Sequence, residues 1–426
     1  MTESIVPSET TCLEEIRPSP LDGLARKVLF SLLAGLQRGR VTIVDSPSRR
    51  TFGMTSDDFP LEATITVHHP RFYVSTVLGG SIGAGESYMA GQWSADDLTM
   101  VVRIIALNRE MLEGMDRGWA RLSAPLHKIF HLSRSNTRKC SRTNIAAHYD
   151  LGNDFYALFL DETMTYSCGI FERDDSTLRE ASLAKYDRIC RKLELTSSDH
   201  LLEIGTGWGG FAIHAARNYG CRITTTTISK AQHQLARERV DHAGLSDRVE
   251  VLLEDYRDLS GRYDKLVSIE MIEAVGHQYL DTFFRSCSRL LKENGMMLLQ
   301  AITIADQVFE QHKRSVDFIK RYIFPGSCIP SVEAICRSMA HTTDLRLFHL
   351  EDITPHYAKT LRLWRERFFA NVDQVRDLGY SETFIRMWEY YLCYCEGGFT
   401  ERYLGDVQMV LTKPLCRRPP ILPPLD

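Results

Sequence analysis

Leu201-Leu202-Glu203-Ile204-Gly205-Thr206-Gly207-Trp208-Gly209-Gly210 is the stretch on which the fold of this chain turns. An apolar run of buried-strand length enters a turn of closely spaced glycines, and helical periodicity begins at Phe211. Glycine adopts positive φ without steric cost and lets a backbone approach a ligand closely. A helix N-terminus behind such a turn offers free N–H groups. Alone, the pattern is weak, because a structural turn or a dinucleotide loop looks similar. Its surroundings give it weight.

Downstream, strands alternate with helices. GGFAIHAARNYG reads as a helix with a glycine stop, RITTTTIS as a strand and KAQHQLARERVDHAGL as a helix. VEVLLEDY and YDKLVSIEM read as strands, YLDTFFRSCSRLLKENG as a helix ending at its glycine, and MMLLQAITI as a further strand. This alternation predicts a parallel sheet covered by helices on both faces. The glycine spacing is GxGxGG rather than the GxGxxG of dinucleotide folds. Glu203 precedes the first glycine by two residues, which suits the amino group of the methionine part of S-adenosylmethionine, with Gly205, Thr206, Gly207 and Gly209 around it. The second strand, residues 223–228, ends at Thr227, Ser229 and Gln232, where a dinucleotide fold places an acid beside the ribose. After the third strand, Asp255 and Tyr256 suit an adenine amino group and ring face.

Upstream, residues 1–20 read as a loose tail and residues 21–36 as a helix. Strands are expected over residues 39–45 and 63–69. The glycine-rich segment 79–98 reads as a loop plus short helix, and Asp96 and Asp97 as caps for a helix through Leu98, Val101, Val102 and Ile105. Together, residues 21–115 form a smaller mixed α/β unit with no catalytic signature of its own. Residues 116–144 form a connector with Arg134, Arg138, Lys139 and Arg142 close together. Two readings stand side by side: a solvated linker, or a basic strip that touches anionic lipid headgroups. Residues 145–426 form the larger unit.

The 426 residues are 44% hydrophobic and 25% charged, enough for sizeable cores, and a formal net charge of -4 gives no sign of a nucleic-acid partner. Eleven cysteines lack CxxC spacing, and Cys393 and Cys395 are too close for a zinc knuckle, so reduced thiols in a cytoplasmic protein are expected and no metal. The polar, acidic start is unlike a signal peptide, and no stretch has the apolar length of a membrane span.

Five longer motifs carry a resemblance: HYDLGNDFYALFLDETMTYSCGIF (residues 148–171), LLEIGTGWGG, TISKAQ (227–232), SIEMIEAVG (268–276) and YIFPGSCIPS (322–331). With these the chain resembles the cyclopropane-fatty-acyl-phospholipid synthase family, including the mycolic acid cyclopropane synthases, over about residues 80–412. The resemblance implies a class I S-adenosylmethionine-dependent methyltransferase (Rossmann-like) domain behind a lipid-associated N-terminal domain. It also implies unsaturated phospholipid acyl chains as substrate, peripheral contact with the inner face of the membrane, and a homodimer. The family methylates a cis double bond, and the carbocation then loses a proton from the new methyl to close the ring, with bound bicarbonate as the base. Carried over residue by residue, Cys168, Glu273, the backbone of Ile302 and Tyr357 match the bicarbonate cage. Tyr166 and Ser167 match positions that touch the cofactor, and Cys395 matches a cysteine often singled out as catalytic, although the bicarbonate scheme needs no thiol nucleophile. Two departures stand out. Gln300 takes the place of the cage histidine and can hydrogen-bond but not carry a proton. Ala274 takes the place of the histidine after the glutamate. Both bear on whether the product is a cyclopropane or a methyl-branched chain.

Bland readings compete. Cys168 reads equally as a buried apolar cysteine, Glu273 as a surface helix residue and Tyr357 as packing, and His148 as part of a lid. The aromatics Trp364, Phe368, Phe369, Trp388, Tyr390 and Tyr391 read as core more than as acyl tunnel. Two other functions fit less of the pattern: a methyltransferase for a small amine or hydroxyl, and a non-enzymatic lipid-binding protein with a vestigial cofactor site.

Overall fold

The computed structural model describes residues 19–109 and 151–422. The connector, its basic strip and His148 lie outside the described residues. The N-terminal unit opens with helix α1 (Pro20–Leu33), started by a Ser19/Asp22 capping box. A four-stranded sheet follows in the order β2-β1-β3-β4, built from β1 (Gly39–Asp45), β2 (Ser48–Met54), β3 (Glu62–Val67) and β4 (Trp93–Ala95). The strands β1 and β3 run parallel, whereas β2 and β4 are antiparallel to their neighbours. Helix α3 (Leu98–Leu107) is capped by the Asp97 side chain, as its sequence predicts.

The glycine-rich segment departs from the expected loop plus short helix. Most of it belongs to helix α2 (Arg71–Met89), kinked at Gly80 where φ is 55°. The small residues are there because neighbours crowd the helix. A Cβ on Gly85 would lie 2.5 Å from the Phe318 ring, and one on Gly83 would collide with the Ser75 carbonyl. Glycine costs helix propensity but permits this close approach.

The larger unit carries a seven-stranded sheet in the order β10-β11-β9-β8-β5-β6-β7. Its strands are β5 (His200–Ile204), β6 (Arg222–Thr226), β7 (Val249–Leu252), β8 (Tyr263–Ile269), β9 (Leu291–Ile304), β10 (Arg346–Asp352) and β11 (Leu404–Thr412). The strands β7, β6, β5, β8 and β9 are mutually parallel, and β11 is antiparallel to β9. The expected parallel sheet is therefore mixed at one edge. The fold departs from the sequence reading a second time between α8 (Leu280–Leu290) and β9. The helix was expected to run to Gly295, but Leu291 already pairs with Tyr263, and the register then jumps to Lys265↔Met296. Gly295 closes that bulge, where a Cβ would sit 3.1 Å from the Asp264 carbonyl.

Helices α5 (Leu178–Lys192), α6 (Gly210–Tyr219), α7 (Lys230–His242) and α8 flank the sheet. The long helices α11 (Thr354–Ala370) and α13 (Glu382–Thr400) form a separate layer that reaches the N-terminal unit. Arg386 donates to the carbonyls of Tyr88 and Trp93 at 2.7 and 2.9 Å, and the Tyr88 hydroxyl donates to Glu389 at 2.6 Å. Trp364, Phe368, Trp388 and Tyr390 are buried in this layer as core, Phe369 is partly exposed, and Tyr391 alone of the six aromatics reaches the cavity described next. Among the described residues no helix is long and apolar enough to cross a membrane.

Candidate active site

A cavity of about 300 Å³ opens at the carboxyl ends of β5, β6, β8 and β9. Open α/β sheets bind ligands at that edge. The β5 turn supplies Glu203, Gly205, Thr206 and Gly207 to its wall, the β6 end supplies Thr227 and Gln232, and the β7 end Asp255 and Tyr256. Gly207 has φ 52°, and a Cβ there would meet nothing within 4 Å, so its side of the turn faces open space. Gly209 and Ser229 stand one step back. Gly209 is the N-cap of α6 and packs on Ala236, while the Ser229 hydroxyl caps α7 by accepting from the Gln232 N–H at 3.3 Å. Thr227 donates to Gln232 at 2.9 Å, which fixes the amide on the wall.

Two acids here differ in electrostatics. Glu203 is buried and accepts from Thr225 at 2.6 Å; burial pushes its carboxyl up to about 8. Asp255 is held by Arg257, whose guanidinium donates to both carboxylate oxygens at 2.8 and 2.6 Å. An adenine amino group would have to share those oxygens.

The expected cage residues do converge, but not around an open space. They close on Glu270, which follows β8 and lines the cavity. Its Oε1 accepts from the Cys168 backbone N–H at 2.8 Å and from Gln300 Nε2 at 2.7 Å. Its Oε2 accepts from the Tyr357 hydroxyl at 2.5 Å. The Ile302 N–H is taken by Glu273 Oε1 at 2.5 Å, and Glu273 Oε2 is buried without a hydrogen-bond partner. Burial first, and the Glu270 charge second, push Glu273 up to about 8, so it holds a proton through most of the neutral range. Beneath the site, Lys192 donates to Gln408 at 2.8 Å and Gln408 to Gln300 Oε1 at 3.0 Å, so the Gln300 amide nitrogen must face Glu270. Gln300 Nε2 also lies 3.3 Å from Asp406, whose carboxyl burial raises far above the usual range. Lys185 is fully buried, donates to Ser167 at 2.5 Å, and is lowered by burial.

Cys168 is wholly buried and off the cavity wall, and burial raises its thiol. Gln300 is likewise behind the wall. Cys395 lines the cavity, but burial raises its thiol too, which argues against a thiolate there. Tyr166 and Ser167 line it beside Tyr391, and the Tyr166 and Tyr391 hydroxyls lie 2.8 Å apart. Glu270, Asp406 and Lys185 were missed from sequence. A signal for Glu270 existed: it is an acid at a strand's carboxyl end, inside the quoted SIEMIEAVG motif.

A bicarbonate ion does not fit these residues. The Cys168 N–H, the Gln300 amide and the Tyr357 hydroxyl are taken by Glu270, and the Ile302 N–H by Glu273. A sulfonium ligand with an ammonium group does fit the glycine turn, its open Gly207 face and the buried Glu203.

Comparison with known proteins agrees with the fold. Residues 136–409 match the family described as mycolic acid cyclopropane synthetase. A tuberculostearic acid methyltransferase of Mycobacterium tuberculosis is 41% identical over 363 residues, 83% of this chain and 84% of that protein. A cyclopropane-fatty-acyl-phospholipid synthase of Escherichia coli (strain K12) is 36% identical, over 82% of this chain and 88% of its own. Among solved structures, the mycolic acid cyclopropane synthase CmaA1 in complex with SAH and CTAB superposes with a TM-score of 0.60 at 35% identity, covering 64% of this chain and 98% of that one. Coclaurine N-methyltransferase, at 20% identity and a TM-score of 0.58, shares the fold. With a class I methyltransferase sheet, a glycine turn at its carboxyl edge and this match across most of its length, the chain belongs to the mycolic acid cyclopropane synthetase family of S-adenosylmethionine-dependent methyltransferases.

Proposed function

We propose that this enzyme transfers the methyl group of S-adenosylmethionine to the cis double bond of an unsaturated phospholipid acyl chain, and that proton loss from that methyl closes a cyclopropane ring. One observation carries the reading: a single cavity is walled both by the glycine turn with Glu203 and by an apolar, aromatic chamber containing carboxylates. Glu203 takes the ammonium group of the methyl donor, and Gly205, Thr206 and Gly207 let its backbone lie close. Thr227 and Gln232 face the ribose, Asp255 and Tyr256 the adenine, and Tyr166 and Ser167 the sulfonium side. Gly209 and Ser229 position these residues as helix caps.

The acceptor end suits a carbocation. Tyr166, Phe324, Tyr357, Tyr391, Tyr394 and Phe399 present rings to the cavity, and ring faces attract a cation. Tyr357 is stacked on Phe399 at 4.3 Å between ring centroids, which holds its ring in place. An apolar wall keeps out the water that would trap the cation. A substrate embedded in a bilayer brings the protein to the membrane surface, with the 134–142 strip as the proposed contact. A homodimer remains part of this reading through the family resemblance.

A methyl-branched product is the second reading, favoured by the 41% identity to a tuberculostearic acid methyltransferase. Purified protein incubated with S-adenosylmethionine and vesicles of unsaturated phospholipid separates the outcomes by proton NMR of the product acyl chain: a cyclopropane shows ring protons, whereas a branched chain formed without a reductant loses its proton to an alkene of the same mass and shows olefinic protons. Saturated phospholipid should give nothing. Methylation of small amines with no lipid product would overturn the proposal.

A further inference from the structure

We propose that Glu270 is the built-in base of this enzyme: its carboxylate occupies the site the family fills with bicarbonate and takes the proton from the transferred methyl. This inference rests on the acyl-chain reading above and adds the residue that completes its chemistry.

Glu270 receives three donors from three separate segments: the Cys168 N–H, the Gln300 amide and the Tyr357 hydroxyl. The backbone N–H can only donate, and the Gln408 contact turns the Gln300 amide nitrogen toward Glu270. A carboxyl group surrounded in this way acts as acceptor only, the pattern of an ionised carboxylate. It lines the cavity, whereas Cys168 and Gln300 stand behind it.

The backbone supplies an independent observation. Glu270 has φ 47°, in the left-handed region that a residue with a β-carbon rarely adopts. Such conformations persist where the surroundings over-determine them, and they cluster at functional sites. Its own N–H is tied to the Gln300 carbonyl at 2.9 Å, so both ends of the residue are fixed to β9 and its neighbours. Glycine would adopt this φ freely, and its absent side chain would leave room for a small anion among the same donors.

The glutamine at position 300 then has a physical reason. With a carboxylate covalently in place, the residue beneath it need only donate a hydrogen bond. The chain Lys192, Gln408, Gln300 orients that donor. Glu273 has a different part: protonated, with Oε2 unpartnered at the cavity, it places no second negative charge beside the base.

The step balances. A bond forms between the methyl carbon and one alkene carbon as the carbon–sulfur bond breaks, and sulfur keeps that electron pair. The other alkene carbon is left cationic. Glu270 takes a proton from the methyl, and the C–H pair becomes the bond that closes the ring. The proton leaves Glu270 for solvent after product departs, and no oxidant or reductant is needed.

The test compares wild type with Glu270→Gln and Glu270→Gly. Product formation should fall on the order of 100-fold to 10,000-fold in Glu270→Gln, the range for a positioned base, while S-adenosylmethionine affinity measured by calorimetry stays within a few-fold. Wild type should keep its rate in buffer stripped of carbon dioxide. Glu270→Gly should regain activity with added bicarbonate or formate, saturably. Carbon-13 NMR of labelled bicarbonate should show saturable binding to Glu270→Gly and none to wild type. That readout needs no lipid, so it judges the base apart from the substrate reading. Wild type that binds bicarbonate and stalls without it, or Glu270→Gln at near-normal rate, would overturn the proposal.

Discussion

Glu203 and Glu270 lie on the wall of one cavity, and both belong to strand-like runs in sequence, but only for Glu203 do the neighbouring residues also give the role. Glu203 sits within the glycine motif, so its role follows from a local pattern of ten residues. Glu270 gains meaning from Cys168, Tyr357 and Gln300, which are 102, 87 and 30 residues away in the chain. Glu273 was legible only through family resemblance, and its unpartnered oxygen only through the structure. The burial of Glu203 makes a prediction at this scale. Its carboxyl is pushed up to about 8, so in the empty protein it carries a proton below that pH. An ammonium ligand prefers the ionised form, and binding must then release a proton. Affinity for S-adenosylmethionine should therefore rise with pH between 5 and 7, by up to about tenfold per pH unit. Calorimetry in buffers of different ionisation enthalpy measures the proton released. In Glu203→Gln the slope should vanish and the affinity should be low throughout.

At the scale of elements, strand–helix alternation was sufficient for the parallel core of the sheet, because each piece shows its own period. It failed where tertiary contacts override local preference. Helix α2 holds glycines that read as a loop, since nothing in the sequence reveals that Phe318 and Tyr390 press on Gly85. Likewise the break between α8 and β9 is set by pairing of Leu291 with Tyr263, not by the glycine four residues later. The crowded crossing predicts that Gly85→Leu will be costly. Its Cβ would lie 2.5 Å from the Phe318 ring and 3.1 Å from Tyr390, so side chains on both sides must shift. Overpacking of this kind costs roughly 1–3 kcal/mol. Denaturant unfolding should show that loss.

For the whole molecule, the N-terminal unit joins the catalytic one through α13, with Arg386 and Glu389 reaching α2 and β4. Its mixed α/β character was legible; the β2 and β4 strands were not, being short or polar. If the 134–142 strip meets anionic headgroups, each basic side chain contributes about 1 kcal/mol near the surface. Co-sedimentation with anionic vesicles should then weaken with salt and with Arg138→Glu and Lys139→Glu together, while salt-independent binding would make the strip a plain linker. The central claim is that one cavity both delivers a methyl group to a double bond and removes a proton from it. The most direct measurement supplies S-adenosylmethionine with a fully deuterated methyl group and unsaturated phospholipid vesicles, then counts deuterium in the acyl product by mass spectrometry. The account predicts that two of the three deuterons remain. Retention of all three, or labelled methyl found on an amine or hydroxyl and not on the acyl chain, would contradict it.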